Sequence, residues 1–231
     1  KGRSQSYDAE DIEILEGLEP VRQRPAMYIN SVDVHGYHHL LWEILDNAID
    51  EAMNGHAAHI HVTLDEDQKG VGVEDDGRGM PVGMHPKYKK PTLELILCTL
   101  HAGGKFGKKN YAVSGGLHGV GSSVVNALAE SLEATVQRDG FVFSQSFSRG
   151  IVTSKLKKGA ASRKHGTLIH FRPDPQIFGA KLSFDVDVVR ERLHAKAYLH
   201  GGLKLSRTDR ATGETVAFHH PNGIADYLPK L

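Results

Sequence analysis

Cysteine is almost missing from this 231-residue chain, where Cys98 stands alone. A single thiol excludes an internal disulfide and any zinc site built from cysteines, and it suits a reducing cytoplasm. No run of about 18 apolar residues occurs, so no segment reads as a membrane-spanning helix. Excess positive charge is lacking too: 28 Lys and Arg balance 28 Asp and Glu. A chain that gripped DNA by itself would be clearly basic, so direct nucleic-acid binding by this segment is not expected. No signal peptide is visible. The opening on Lys1 rather than a methionine reads as an excised piece of a longer protein. The histidines are scattered. HHLL and AFHH lack metal-site spacing and read as surface or packing residues.

What is present centres on His38–Gly55, HHLLWEILDNAIDEAMNG. Leu41, Ile44, Leu45, Ala48, Ile49 and Ala52 recur at helical spacing and make one apolar stripe. Glu43, Asp46, Asn47, Asp50 and Asn54 share the opposite face. A solvated helix face usually interleaves charges, because like charges one turn apart repel. Here no Lys or Arg occurs from Val34 through Gln68. An unneutralised row of carboxylates plus an amide offers hard oxygen ligands to a cation such as Mg2+. The helix therefore reads as the floor of a site.

Around it, residues 11–18 read as a short helix after a polar arm, and 21–30 as a loop. Ile60, Val62 and Leu64, then Val71 and Val73, alternate with polar residues about a turn, which is a β-hairpin. Helices are expected at 93–100, 122–132 and 185–199. Strands are expected at 132–138, 141–148 and 166–172, with a closing hairpin near 202–219 and a helical start from Asn222. Helices early and strands late fit an α+β layer of helices on a mostly antiparallel sheet.

Two further signals carry chemistry. Gly115, Gly116, Gly119 and Gly121 precede a helix, and such glycines let backbone N–H groups close on phosphate oxygens. The spacing is neither a P-loop nor the dinucleotide fingerprint. From His85 to Gly121 six lysines face one acid, Glu94. A basic loop over an acidic helix suits a polyphosphate with its metal. The other signal, DDGRGMP, follows a strand and can present a carboxylate to an exocyclic amine, although alone it is an ordinary turn.

In combination, EILDNAIDEA, VEDDGRGMP, LHAGGKF and YAVSGGLHGVGSSVVNAL resemble, almost letter for letter, the ATP-site motifs of one family. That family is the ATPase domain of bacterial type IIA topoisomerases, the gyrase B subunit and its topoisomerase IV counterpart, within the superfamily that includes heat-shock chaperones, histidine kinases and MutL. GLEPVRQRPAMYI and KHGTLIHF extend the resemblance, which runs from Tyr7 over nearly the whole chain.

The resemblance implies a two-layer fold: a mixed, mostly antiparallel eight-stranded sheet with helices on one face. It implies an arm and short helix over 1–18, an ATP-binding domain over 19–220, and from 221 the start of a connection to a transducer domain. Glu43 then corresponds to the general base acting on the attacking water, and Asn47 to the Mg2+ ligand, supported by Asp50. Asp75 corresponds to the acceptor of the adenine amino group, with Thr167 sharing a water on that edge. Arg78 would pair with Glu51 beside the adenine, next to Gly79, with Met80, Pro81 and Ile96 lining the pocket. Gly103, Gly104, Lys105 and Tyr111, with the backbone of Gly116, Leu117, His118, Gly119, Val120 and Gly121, resemble the lid over the triphosphate. Arg138 resembles the arginine at the mouth where aminocoumarin inhibitors bind. Tyr7 falls in the arm that crosses to a second copy of the same subunit.

The implied cofactors are ATP and Mg2+. The implied partners are a second B-type subunit, the A-type subunit of gyrase or topoisomerase IV, and DNA through regions this chain lacks, with no membrane. Family members carry glycine where this chain has Ala26 and Asn30, which puts local loop shape in question. The lysine that reaches the γ-phosphate comes, in the family, from the transducer domain. Weak turnover and a mainly monomeric state are therefore expected of this piece alone. Gyrase and topoisomerase IV remain alternatives, as do another ATPase of the superfamily and a nucleotide-binding module without catalysis.

Overall fold

The computed structural model describes residues 16–100 and 121–228. Helix α3 (Val34–Met53) is the longest element. Asp33 caps it, its carboxylate accepting from the His35 and Gly36 amides at 2.9 and 3.3 Å. Leu40, Leu41, Ile44, Leu45, Ala48 and Ile49 are buried along one stripe. At the far end Asn54 donates through its backbone and side chain to the Asp50 carbonyl.

The segment read as a loop over 21–30 instead holds two short helices, α1 (Glu19–Gln23) and α2 (Ala26–Ile29). Pro20 opens the first and Pro25 precedes the second, positions where a missing N–H costs nothing. Val21 and Ile29 anchor them in the core. The helix expected over 11–18 lies mostly outside the described residues; its last part, 16–18, leads into α1 without helix.

Strands β1 (His59–Leu64) and β2 (Val71–Asp75) form the expected antiparallel hairpin. Helix α4 (Thr92–Cys98) and helix α5 (Gly121–Ala127) follow. The helix expected to reach 132 stops at Ala127. Ala129 already pairs with Pro173, so β3 (Ala129–Arg138) takes over residues whose local pattern is helical. Strands β4 (Phe141–Ser148), β5 (Ile151–Val152), β6 (Lys157–Ala161) and β7 (Gly166–Pro173) come next. Helices α6 (Pro175–Phe178) and α7 (Val186–Leu199) precede the closing hairpin, β8 (Lys204–Asp209) and β9 (Thr215–His219). A short 3-10 turn spans Gly223–Asp226.

Eight strands run in the order β5-β4-β3-β7-β2-β1-β8-β9. A ninth, β6, pairs with β4. It went unread because Lys-Lys-Gly-Ala-Ala shows no apolar alternation, and all five residues are exposed. Among the described strands only β1 and β8 pair in parallel; the fold is a mostly antiparallel open sheet. Ile60, Val62 and Leu64 point into the core while His59, His61 and Thr63 stay half-buried on the other face. α3 packs on β1, β2 and β7, α5 on β3 and β4, and α7 on β8 and β9, which makes the helical layer.

Polar ties hold that layer in place. His38, buried, accepts the Asp185 amide at its Nε2 (2.8 Å). Its Nδ1 must then donate to the Val34 carbonyl at 2.8 Å. Buried Asp174 binds Arg22 at 2.9 Å and Arg149 at 2.7 Å, and Arg22 also donates to the Ala127 carbonyl at 2.8 Å. This cluster joins α1, α5 and the β4–β5 turn.

Leu45 is fully buried in the stripe of α3. Leu45→Ala should lower unfolding stability by about 3 kcal/mol, from lost apolar contact plus the cavity left behind. Denaturant melts of variant and parent check the figure.

Candidate functional site

The polar side of α3 does not act as one charged row. Lys196 of α7 reaches Asp46 at 2.8 Å and pairs with that carboxylate. The expectation that the row of acids is unneutralised is corrected by this pairing. Asp50 is fully buried. Glu51 accepts from Arg78 at Nε (3.1 Å), Nη2 (2.7 Å) and the backbone amide (3.3 Å). A fork of this kind fixes direction as well as distance. Two acids of α3, Asp46 and Glu51, are thus paired with cations distant in sequence.

Glu43 lies one turn beyond His39, whose Nε2 is 3.1 Å from its carboxylate. Asn47 donates through Nδ2 to Ser122 Oγ at 2.9 Å, so its amide oxygen is the atom it can offer a cation. The start of α5 presses against these groups. A side chain at Gly121 would place Cβ 2.1 Å from Glu43 Oε2, so any larger residue there would displace the Glu43 carboxylate from its present position.

Asp75 ends β2 beside Thr167 of β7. Gly166, at φ +137°, makes the junction: a Cβ there would sit 1.9 Å from the Asp75 carbonyl oxygen. Burial pushes the Asp75 carboxyl up to about 7. The Gly77 amide, donating at 2.8 Å, acts against that rise, and the nearby Glu51 carboxylate reinforces it. Thr167 Oγ1 accepts from the Met80 amide at 3.0 Å. Arg138 Nη1 donates to the Gly79 carbonyl at 2.9 Å and its Nε to Asp139 at 3.2 Å. Met80 and Ile96 are half-buried and Pro81 is exposed.

The structure therefore gathers two groups, Glu43–Asn47–Ser122 on α3 and α5, and Asp75–Thr167–Met80 at the β2–β7 end. Tyr7, Gly103, Gly104, Lys105, Tyr111, Gly116, Leu117, His118, Gly119 and Val120 lie outside the described residues.

Several participants were not read from the sequence. His39 precedes Glu43 by one helical turn, a spacing that could have revealed it. Ser122 directly follows the glycines. Asp76 differs from its neighbour Asp75: it accepts from the Ala58 and His59 amides at 2.8 and 3.0 Å and serves as a strut for β1. His165 reaches the Gly77 carbonyl at 2.7 Å, across a sequence gap that no local pattern encodes.

A carboxylate at a strand end, an amide and a second carboxylate on a helix, and glycines opening the facing helix suit a nucleotide. A family model described as histidine kinase-, DNA gyrase B-, and HSP90-like ATPase matches residues 32–177. The chain belongs to this ATPase family. It is 48% identical over 229 residues to the B subunit of DNA gyrase from Clostridium acetobutylicum, covering 99% of this chain and 36% of that one. To its counterpart from Thermotoga maritima it is 48% identical over 227 residues, covering 98% and 35%. The chain thus spans about a third of the length of these relatives. A crystal structure of the 43K ATPase domain of Thermus thermophilus gyrase B, in complex with an aminocoumarin, superposes with a TM-score of 0.83 at 45% identity. The match covers 92% of this chain and 54% of that one. The sheet of this ATPase-family chain agrees with that neighbour.

In the folded chain Asp75 binds a proton more tightly than its unfolded value of 3.8 allows. Its contribution is therefore fully present below about pH 4 and lost as pH rises through about 7. Because Asp75 keeps some solvent contact, the loss should be roughly 2–4 kcal/mol. Urea melts at low and at alkaline pH should show the ligand-free parent losing that much against Asp75→Asn. A constant difference between the two would mean the carboxyl is not held protonated.

Proposed function

We propose that this chain is the ATP-binding and ATP-hydrolysing domain of a type IIA DNA topoisomerase, from the B-type subunit of gyrase or topoisomerase IV. In that reading nucleotide-driven dimer closure is coupled to DNA strand passage. The observation that carries it is the buried Asp75 carboxyl at the β2 end, beside Thr167, with the Glu43–Asn47 pair on α3, the helix that packs on β2.

Asp75 accepts the adenine amino group, and Thr167 shares that edge. Arg78, locked on Glu51, walls the adenine side with Met80, Pro81 and Ile96. Glu43 takes the proton of the attacking water as general base, with His39 orienting its carboxylate. Among the described residues no group of three or more His, Cys, Asp or Glu is placed to hold a metal. The Asn47 amide oxygen, with Asp50 beneath it, fits Mg2+, which takes few protein ligands beside phosphate oxygens and water. When bound, Mg2+ supplies charge neutralisation on the phosphates. Gly103, Gly104, Lys105, Tyr111 and the backbone of Gly116–Gly121 close on the triphosphate.

The arm with Tyr7 would engage a second copy of the B-type subunit, while the A-type subunit and DNA would be engaged by parts of the protein beyond this chain. Arg138, fastened to the Gly79 carbonyl, stands where an aminocoumarin would contact the pocket mouth. The compartment proposed is the bacterial cytoplasm. Without a γ-phosphate lysine from a following domain, the chain alone should bind ATP, hydrolyse it slowly and stay largely monomeric.

Only the ionised Asp75 carboxylate accepts a hydrogen bond from an amine at both oxygens, so nucleotide affinity should rise with pH through about 7. Calorimetric titration with a non-hydrolysable ATP analogue and Mg2+ measures this. Asp75→Asn should weaken binding by about 1–3 kcal/mol and flatten its pH profile. Unaltered binding would remove Asp75 from the adenine site.

Within the longer protein, Glu43→Gln should cut turnover by about 10²–10⁴-fold while leaving analogue binding intact. Unchanged ATPase there would favour a nucleotide-binding module without catalysis.

A further inference from the structure

The zero net charge of the chain conceals a segregation. From Val34 to Gln68 there are seven acids and no Lys or Arg; from Gly140 to Pro173 there are seven Lys and Arg and no acid. Two of those cations are neutralised in the fold, Arg149 on Asp174 and Arg172 on Asp65 and Asp67. The other five, Lys155, Lys157, Lys158, Arg163 and Lys164, are all exposed. Among the described residues none of them pairs with a carboxylate.

These five lie on or beside β6, which pairs with β4 and has no strand on its other side among the described residues. The edge is fastened down. Ser162 donates its amide to the Gly140 carbonyl at 2.9 Å and its hydroxyl to Gln137 at 2.9 Å. Lys164 then donates its amide to Ser162 Oγ at 3.1 Å. Lys158 Nζ sits 3.5 Å from the centre of the Phe141 ring, which holds one ammonium on the strand. The backbone of the edge is thus ordered before a ligand arrives, which leaves mainly side-chain order to be imposed.

We propose that this edge binds the phosphate backbone of duplex DNA without reading its sequence. The proposal rests on the topoisomerase reading above, which brings DNA to the same protein through parts beyond this chain, and it adds a contact on this chain itself, against the expectation drawn from net charge alone. Charge complementarity selects the partner. From Lys157 to Lys164 the edge carries no large apolar side chain, and protein interfaces draw their affinity from such anchors. A phosphate backbone needs only spaced cations. At about 3.3 Å per residue, β6 runs roughly 13 Å, about four base-pair steps of duplex. The competing account is that lysines on an exposed strand merely keep it from pairing with another chain.

The test is fluorescence anisotropy of a labelled random-sequence duplex of about 20 base pairs, titrated with the full 231-residue chain at about 50 and 200 mM salt. About four phosphate contacts should give a roughly hundredfold loss of affinity between the two salts. The variant Lys157→Glu/Lys158→Glu/Arg163→Glu/Lys164→Glu should bind at least about tenfold more weakly at the lower salt. Should reversal perturb folding, the matching Gln variant, which keeps the side-chain stems, decides in its place. Calorimetric nucleotide titration on the same samples separates the two readings. Nucleotide binding retained with DNA binding lost supports the edge. A parent that binds nucleotide but not DNA, or a variant that binds DNA as tightly as the parent, overturns it and leaves edge protection as the role of these cations. DNA bound through the edge by a parent that binds no nucleotide would overturn the function proposed above and not the edge.

Discussion

Pairing Asp46 and Glu51 of α3 with cations from outside the helix is the constraint on which the other parts depend. The helix cannot bury its apolar stripe without also carrying Glu43, Asp46, Asp50 and Glu51 to the boundary of the core. Buried carboxylates are tolerated only when paired. Lys196 therefore ties α7 to the helix and Arg78 ties the turn after β2 to it, while His39, within α3 itself, stands one turn below Glu43. Each pairing also orders the site. With Asp46 paired with Lys196 and Glu51 with Arg78, Glu43 and Asn47 remain to face the start of α5.

A second constraint is steric and acts at two glycines. Gly121 lets a helix start in contact with the Glu43 carboxylate, and Gly166 lets β7 begin against the end of β2. The first sets what lies above the helix floor. The second sets the enclosure of Asp75, and with it the carboxyl's affinity for a proton. Backbone placement and side-chain chemistry are here a single arrangement.

Much of this was legible in the sequence because it is local. The apolar period of α3, the alternation of β1 and β2 and the glycines before α5 name their own elements. Asp75 was singled out through the family resemblance, because a strand-end acid followed by glycines is by itself an ordinary turn, and its distinction from Asp76 was not legible. That distinction depends on which backbone amides each meets, two of which belong to β1 and the residue before it. The row of acids was misread as unneutralised because Lys196 is 150 residues from Asp46. β6 was invisible because an edge strand buries nothing, and periodicity reports burial. The two short helices of 21–30 were hidden by prolines, which read as breakers but stand at helix starts.

The one parallel pairing among the described strands also governs how the chain comes together in time. His61 and Ser206, opposite each other on β1 and β8, are 145 residues apart. A contact of that span must wait until nearly the whole chain exists, and long-range pairing of this kind slows folding. At about 5–20 residues per second, ribosomal synthesis leaves β1 without its neighbour for roughly 7–30 seconds. During that interval its outer edge is a template for any other strand. His59 and His61 give that edge a polar, ionisable face, and one later serine answers both rings: Ser206 Oγ lies 2.7 Å from His59 Nε2 and 2.6 Å from His61 Nδ1. The β8–β9 hairpin is therefore addressed by hydrogen bonds as well as by apolar fit, a register mark for its pairing with β1.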